Sequence, residues 1–449
     1  MIDAAPSTLP RSDQRGRTGM ARAAGAATIG NALEWFDYAT YSAFAAVFSR
    51  QIFGGEGHSA LLNSFVVFGV GFFARPVGGA LIGAYADRRG RRAALTLSIV
   101  LMAAGSLLIG VVPTYAAAGL WAPVLLTFAR LTQGLSVGGD YGASPIFLSE
   151  IAAPGRRGLF SSLHYISLTC GLLAASTLGW LLSATLSTAA LDSWGWRVPF
   201  LIGAAAALWG LYLRRSVQET EVFRAEQRRA AERRRTADTT ADATAITTGG
   251  SGTGEITRTL WTVLRVIGMT ALGSITFWTL TSYLPSHAQE TDLHADSVFA
   301  ASSCALLVFL VMQPLAGWLS DRVGRKPLLI GYSLGFAVLA YPLMSGIHIG
   351  SARTLFWVML LGLTVFAGYS AISAAFLAEQ FPTKVRSTGV GIAHNVSSAL
   401  FGGTAPYLLA RLDDAGHTGW FAGYVAVAAL VACALFARIP ETSGKPLQS

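Results

Sequence analysis

The chain has 449 residues, enough for about three soluble domains by length, yet only 13% of them are charged, 53% are apolar and the mean hydropathy is +0.50. So little charge cannot coat several globular surfaces, and apolar runs of about 20 residues match the ~30 Å hydrocarbon core that a helix must cross, so the composition predicts an all-α polytopic integral membrane protein. The net charge of +9 does not signal nucleic acid, because the basic residues sit in short clusters between apolar segments, where they set membrane orientation.

In chain order, residues 1–22 carry Arg11, Arg15, Arg17 and Arg22 without a short apolar core, and read as a cytoplasmic tail rather than a cleavable signal. The first span, about 23–49, holds Glu34, Asp37, Tyr38 and Tyr41 at i, i+3, i+4 and i+7, along one helical face near mid-depth. A charge at mid-bilayer costs about 2.5–3.5 kcal/mol on insertion scales. Two carboxyls on one face therefore either look into a protein-lined cavity or pair with Arg75 and Arg130 to hold the bundle together. Arg75, in the span 61–86, precedes Pro76 and reads equally as a site residue or a structural ion pair. The third span is expected at 93–112. Arg130 and Gln133 lie in the fourth, 119–148, with Arg130 about eleven residues in, near mid-depth, where its planar fork suits a carboxylate. Spans five and six follow at 159–187 and 197–213. His164, like His394 later, is more simply a core histidine than a proton relay.

From 214 to 235 the chain is Arg-rich, and 236–254 is low-complexity Thr, Ala, Asp and Gly, which cannot bury enough apolar surface to order itself. Residues 214–259 therefore read as a cytoplasmic linker between an N-terminal six-helix half, 23–213, and a C-terminal one, 260–438, followed by a tail at 439–449. The second half has spans near 260–284, 297–320, 327–347, 354–379, 388–410 and 418–438, in which Trp278, Tyr283, Tyr369 and Asn395 are candidates to line a cavity. Outside the spans, one side of the membrane holds only Arg50, Arg197, Arg353 and Arg411, while the tails and even-to-odd connections hold most of the 33 Lys and Arg. Positive residues stay inside, so both termini are expected in the cytoplasm. Cys170, Cys304 and Cys433 lie far apart, with no disulfide or metal-ligand spacing.

GAYADRRGRR at 83–92 and GWLSDRVGRK at 317–326 match at Gly, Asp, Arg, Gly and Arg, each leaving the second span of its half, and Glu150 and Arg157 are echoed by Glu379 and Arg386 at the same spacing of seven. Parallel duplication of this kind is an architecture of secondary transporters, with the site near the midplane between the halves. The loop pattern Gly83, Asp87, Arg88, Gly90, Arg91 and its repeat Gly317, Asp321, Arg322, Gly324, Arg325 resemble the signature of the major facilitator superfamily, as does Arg130-Leu-Thr-Gln133-Gly134. Gly30-Asn31-Ala32-Leu33-Glu34-Trp35-Phe36-Asp37-Tyr38, Arg75-Pro76-Val77-Gly78-Gly79, Arg214-Arg215-Ser216 with Glu219-Thr220 and Phe223, and Phe381-Pro382 with Val385-Arg386 resemble its metabolite:proton symporters, which include carriers of 2-oxoglutarate, citrate, shikimate, proline and betaine. That group has Glu after the paired glycines, where this chain has Asp140.

The resemblance implies twelve transmembrane helices and a proton-coupled symporter, monomeric and multi-pass in the inner (plasma) membrane, importing a small carboxylate-bearing metabolite by alternating access without a cofactor. Proton coupling falls to Asp37, Glu34 or Asp140. Substrate binding falls to Arg130, Arg75, Tyr38, Tyr41 and Gln133 with the four second-half candidates. A cytoplasmic gate comprises Gly83, Asp87, Arg88, Arg91, Asp321, Arg322, Arg325, Glu150, Arg157, Glu379 and Arg386, in which the carboxylates meet guanidinium groups and helix N-termini. No P-loop, catalytic constellation or metal site is legible, so uphill transport draws on an ion gradient. An exporter or facilitator on the same fold, or a non-transporting membrane sensor, are the competing readings.

Overall fold

A computed structural model describes residues 11–55, 57–89, 91–138, 149, 152, 155–214, 253–291, 293–345, 350–382 and 386–445. Twelve long rods account for nearly all of them. In the N-terminal half these are α1 (Arg11–Phe53), α2 (Gly57–Arg89), α3 (Arg91–Val111), α4 (Trp121–Gly138), α5 (Arg157–Thr185) and α6 (Val198–Arg214). In the C-terminal half, α7 runs from Thr253–Trp278 through a π-helical turn, Thr279–Tyr283, into Leu284–Glu290, and α8 (Ala295–Val323) and α9 (Arg325–Ser345) follow. The rod α10 is Ala352–Ser370 and Ser373–Glu379 about a short break, α11 is Arg386–Ser397, a π-turn Ser398–Gly402 and Ala405–Asp414, and α12 is Thr418–Arg438. No strand occurs among the described residues. That is the expected economy, since in hydrocarbon a helix satisfies every backbone group within itself.

Seven rods, α2, α5, α7, α8, α9, α10 and α12, are long and apolar enough to cross a membrane on length and composition. Part of α3, Thr96–Val111, is a shorter apolar helix. Of the rest, α1, α4 and α11 carry Asp37, Arg130, Gln133 and Asn395, buried between helices rather than facing lipid. Central helices lose apolar character because polar side chains belong in the interior. The first rod begins at Arg11 and the seventh at Thr253, so both reach beyond the expected spans at 23 and 260; most of the linker, 215–252, lies outside the described residues.

The two halves meet along α5 against α8 and α2 against α11, with α1 crossing to α7. Within the first half α2 and α4 lie backbone to backbone. A Cβ on Gly134 would stand 2.0 Å from the Gly71 carbonyl oxygen, and one on Gly138 1.9 Å from that of Arg75. This four-residue glycine spacing is the small-residue seam that lets helices approach in lipid. It also fixes the depth of Arg75 and Arg130, which ride on the two apposed backbones. Gly134→Ala is expected to prise α2 from α4. Over-packing a tight contact costs about 1–3 kcal/mol, so purified Gly134→Ala should show a clearly lower melting temperature by scanning fluorimetry, while Ala at exposed Gly83, whose Cβ would meet nothing within 4 Å, should not.

Candidate functional site

The deepest polar groups converge between the halves. Arg75 and Arg130 are 1% and 0% exposed, and the groups stacked on them are aromatic. The Arg130 Cζ lies 4.3 Å from the centre of the Tyr41 ring and 4.4 Å from that of Tyr38. The Arg75 Cζ lies 3.9 Å from Phe72 and, again, 4.4 Å from Tyr38. Tyr38 is thus shared by both cations. Cation–π contacts contribute about 0.5–2 kcal/mol each, whereas burying an ion costs several kcal/mol after relaxation. The rings alone do not offset that cost, so these guanidinium groups call for an anion.

Stacking covers the faces of a guanidinium and leaves its edges. On both arginines Nε and Nη2, the parallel donors that fork onto a carboxylate, have no hydrogen-bond partner among the described residues. The remaining Arg130 nitrogen is engaged: Nη1 donates to Gln133 Oε1 at 2.9 Å, Gln133 Nε2 donates to Ser106 Oγ at 2.9 Å, and Ser106 Oγ donates to Asp37 Oδ2 at 2.7 Å. Asp37 therefore joins Arg130 through two intermediaries rather than as a direct ion pair. Its other oxygen, Oδ1, is buried without a hydrogen-bond partner among the described residues and abuts Gly203 of α6, where a Cβ would stand 2.1 Å away. Tyr41 Oη donates to the Ser64 carbonyl at 3.0 Å, which fixes its ring beside Arg130.

The second half closes this cage with rings. Trp278 stacks on Trp35 at 5.8 Å and meets Phe72 and Phe68 edge-on at 5.0 and 5.1 Å. Asn395 Nδ2 donates to the Gly138 carbonyl at 3.1 Å across the α4–α11 contact. Of the remaining candidates, Glu34 is partly buried, one turn from Asp37 on α1. Tyr369 stacks on Tyr332 at 5.1 Å inside the second half. Tyr283 sits away from the arginines, toward the face opposite the chain termini, where its hydroxyl donates to Asp413 Oδ2 at 3.0 Å.

That opposite face is latched between halves. His58 of α2 places Nδ1 3.0 Å from Glu290 Oε2 and Nε2 2.8 Å from Asp414 Oδ1. Ser286 Oγ and Gln289 Nε2 donate to the Ser42 and Ala43 carbonyls of α1 at 2.8 and 3.0 Å. The terminal face, where α1 begins and α12 ends, is latched as well. Asp321 at the end of α8 accepts from the backbone N–H groups of Gly158 and Leu159 at 2.8 and 2.9 Å, capping the positive N-terminus of α5 across the halves. Arg325 holds Asp321 at 3.6 Å and forks from Nε onto Glu379 at 3.0 and 3.1 Å. Arg157 Nη1 reaches the Lys445 carbonyl at 2.6 Å, and Arg386 Nε donates to the Phe381 carbonyl at 3.2 Å. Arg322 is exposed and stacks on Trp318 at 4.0 Å. Gly83 is exposed. The side chains of Asp87, Arg88 and Arg91, and residues Asp140 and Glu150 entirely, lie outside the described residues. With contacts between halves at both faces and a buried centre, the conformation is occluded.

Residues 23–449 match the sequence profile of the sugar (and other) transporters. The chain is 38% identical to the alpha-ketoglutarate permease of Escherichia coli K12 over 95% of both chains, and 34% identical to the citrate-proton symporter of Salmonella typhi over 92% of this chain and 93% of that one. It is 30% identical to the proline/betaine transporter of E. coli K12, over 94% and 84%. The chain belongs to the sugar (and other) transporter family. Its fold is that of the major facilitator superfamily: the proton:xylose symporter XylE superposes with a TM-score of 0.75 over 94% of this chain and 96% of that one, at 21% identity.

Ser106 offered no signal, since a serine in an apolar span usually bonds its own helix. The segment 439–445, expected as a tail, is part of the terminal-face latch: Thr442 Oγ1 donates to Glu379, and Glu441 caps α9 by accepting from the N–H groups of Arg325 and Lys326 at 3.0 and 2.9 Å. Burial pushes the Glu441 carboxyl up, but backbone donors from Arg325, Ser443, Lys326 and Thr442 outweigh it and hold the group below its ordinary value of 4.5. A depressed carboxylate contributes stability that is fully present above the unfolded value and is lost as pH falls through the folded one. Glu441→Gln should therefore lower the melting temperature by on the order of 2 °C at pH 7, and the gap from the unsubstituted transporter should close as a detergent melt is moved below about pH 4.5.

Proposed function

We propose that this protein is a proton-coupled symporter importing a small dicarboxylate by alternating access. The observation that carries the reading is the pair of buried guanidinium groups, each presenting an Nε/Nη2 edge with no hydrogen-bond partner among the described residues. Each edge matches one carboxylate, and two edges on either side of Tyr38 match a molecule with two. A zwitterion such as proline or betaine would answer only one of them. The names of the alpha-ketoglutarate permease and the citrate-proton symporter agree with an anionic cargo and, for the second, with protons as the driving ion.

Charge balance supplies the coupling. With Asp37 ionised, the two arginines and one carboxylate leave the cage one positive charge; with Asp37 protonated, they leave two, which balance a dianion. Substrate and proton are therefore favoured together in the sealed state and each is disfavoured alone. Asp37 takes the proton, and Glu34, less deeply buried, stays outside the exchange. The positive residues of the tails and inner connections support a cytoplasmic terminal face, so Asp321, Arg325, Glu379, Arg157 and Arg386 form the cytoplasmic gate, while His58 and its carboxylate partners form the outer one. The reading is of a monomer working in the inner membrane.

The test is uptake of radiolabelled 2-oxoglutarate, citrate and proline into proteoliposomes, acid outside. Accumulation of a dicarboxylate that collapses with the pH gradient is expected. Arg130→Lys, which loses the planar fork, should weaken apparent affinity about tenfold or more, one charged hydrogen bond being worth about 1.5–3 kcal/mol. Asp37→Asn should still exchange substrate across the membrane without accumulating it. Gradient-driven uptake of proline with no dicarboxylate uptake would overturn the two-carboxylate reading.

A further inference from the structure

The proposed symport needs a device that tells Asp37 when Arg130 has engaged a substrate, and the hydrogen-bond chain between them has a polarity that its chemistry dictates. A guanidinium has donors only. The side-chain atom of Gln133 that faces Arg130 Nη1 must therefore be the carbonyl oxygen, which turns the amide nitrogen toward Ser106. Ser106 Oγ must accept from that nitrogen, so its single hydrogen is left for Asp37 Oδ2. Every bond points the same way, from the cation to the carboxylate, and bonds in such a chain polarise one another. Ser106 and Gln133 are both 0% exposed, so no water substitutes freely for either.

We propose that Gln133 and Ser106 are the positioning residues that couple substrate to proton, by passing the state of the Arg130 guanidinium to Asp37. The proposal rests on the symport reading above. Without substrate, Arg130 supports the ionised carboxylate through the chain. A substrate carboxylate forked onto Nε and Nη2 draws the guanidinium toward itself and sets a negative charge against it, so the support that reaches Asp37 weakens. Asp37 then binds a proton from water on the open side at Oδ1, the oxygen without a partner, while Oδ2 stays bonded to Ser106. On the far side the steps reverse: substrate leaves Arg130, the chain tightens, and the Oδ1 proton returns to water.

The surroundings of Asp37 leave little else to do this. The buried charged or titratable groups on the helices around it include Arg130 on α4, Arg75 on α2, Tyr38 and Tyr41 on α1 itself and His164 and Tyr165 on α5, with partly buried Glu34 one turn away on α1. The third and sixth helices face it with Ser106 and Gly203. Arg130 acts on it electrostatically as well as through the chain. A hydroxyl that donates to a carboxylate is the one direct hydrogen bond found for Asp37 among the described residues.

The experiment measures proton uptake when saturating 2-oxoglutarate is added to purified transporter in lightly buffered detergent with a pH indicator, together with the substrate Kd at pH 6 and pH 8. The unsubstituted protein should take up a proton on binding and bind more weakly at pH 8. In Ser106→Ala the carboxyl loses its donor and is already protonated before substrate arrives. Binding should persist, proton uptake should vanish and the two Kd values should agree within about twofold. Ser106→Thr, which keeps the hydroxyl, should restore both. Should Ser106→Ala fail to fold, Gln133→Met opens the other link and should leave less than half of the uptake. Unchanged proton uptake and an unchanged Kd ratio in a folded Ser106→Ala or Gln133→Met protein, with Asp37→Asn abolishing both, would overturn the chain while leaving the symport reading intact. No proton uptake by the unsubstituted protein, or full uptake by Asp37→Asn, would sink the symport reading itself and the chain with it.

Discussion

The burial of two guanidinium groups against aromatic rings is the constraint from which the rest of the arrangement follows. Arginine stays charged at any physiological pH, so the chain cannot relieve the burial by neutralising the group, as it would with lysine or histidine. It can only stack, bond and balance it. Tyr38, Tyr41, Phe68 and Phe72 stack the two cations, and Gln133 bonds one of them. The backbones of α2 and α4 run close enough at Gly134 and Gly138 to fix the two cations relative to each other. What these contacts leave over is positive charge, and it is on that charge that the proposed anion site rests.

A centre of that kind must be kept from water and lipid, and both faces are tied by polar contacts, with apolar ones such as Phe44 on Phe299 beside them. Carboxylates on helix N-termini and histidine between carboxylates are strong when dry and weaken once water enters. Such contacts suit a latch that has to release. The Asp321 cap on α5 contributes two backbone hydrogen bonds between rigid bodies, so parting the halves by a few ångströms loses both together. The 439–445 segment holds the same corner from the second half, through Glu441 on α9 and Thr442 on Glu379.

The fold was largely legible because spans are long apolar runs and their order is punctuated by basic clusters. The charged members of the site were legible for the converse reason: Asp37 and Arg130 are conspicuous inside such runs. The neutral intermediaries were not. Ser106 lies 69 residues from Asp37 and looks like any helix serine, and Gln133 drew notice only as part of a motif. Aromatic candidates divided by a rule that sequence does not carry, namely which face of the helix meets the other half: Trp278 entered the cage, whereas Tyr369 turned to Tyr332 and Tyr283 to Asp413. The latch opposite the terminal face drew on Asp414, which sits at a span end where acidic residues are usually just solvated.

The two halves therefore divide the work unequally. Asp37, Arg75, Ser106, Arg130 and Gln133 all belong to the first, whose rods α1 to α6 are unbroken among the described residues, so the residues proposed for recognition and proton binding share one set of unbroken helices. The second half contributes Trp278 as a wall and has π-turns at Thr279–Tyr283 and Ser398–Gly402, as well as the break in α10 at Ala371–Ile372. A π-turn is a local irregularity in the hydrogen-bond ladder and a common site of bending. The first of these turns begins at the residue after Trp278, and the second lies beside the α2 backbone, where Gly69 meets Gly403. Rearrangement in the second half can thus move the aromatic wall and open a path to the arginines while the chain from Arg130 to Asp37 keeps its geometry. The proposed coupling requires that order, because a hydrogen-bond chain broken by the opening motion itself would let Asp37 take a proton whether or not substrate had bound.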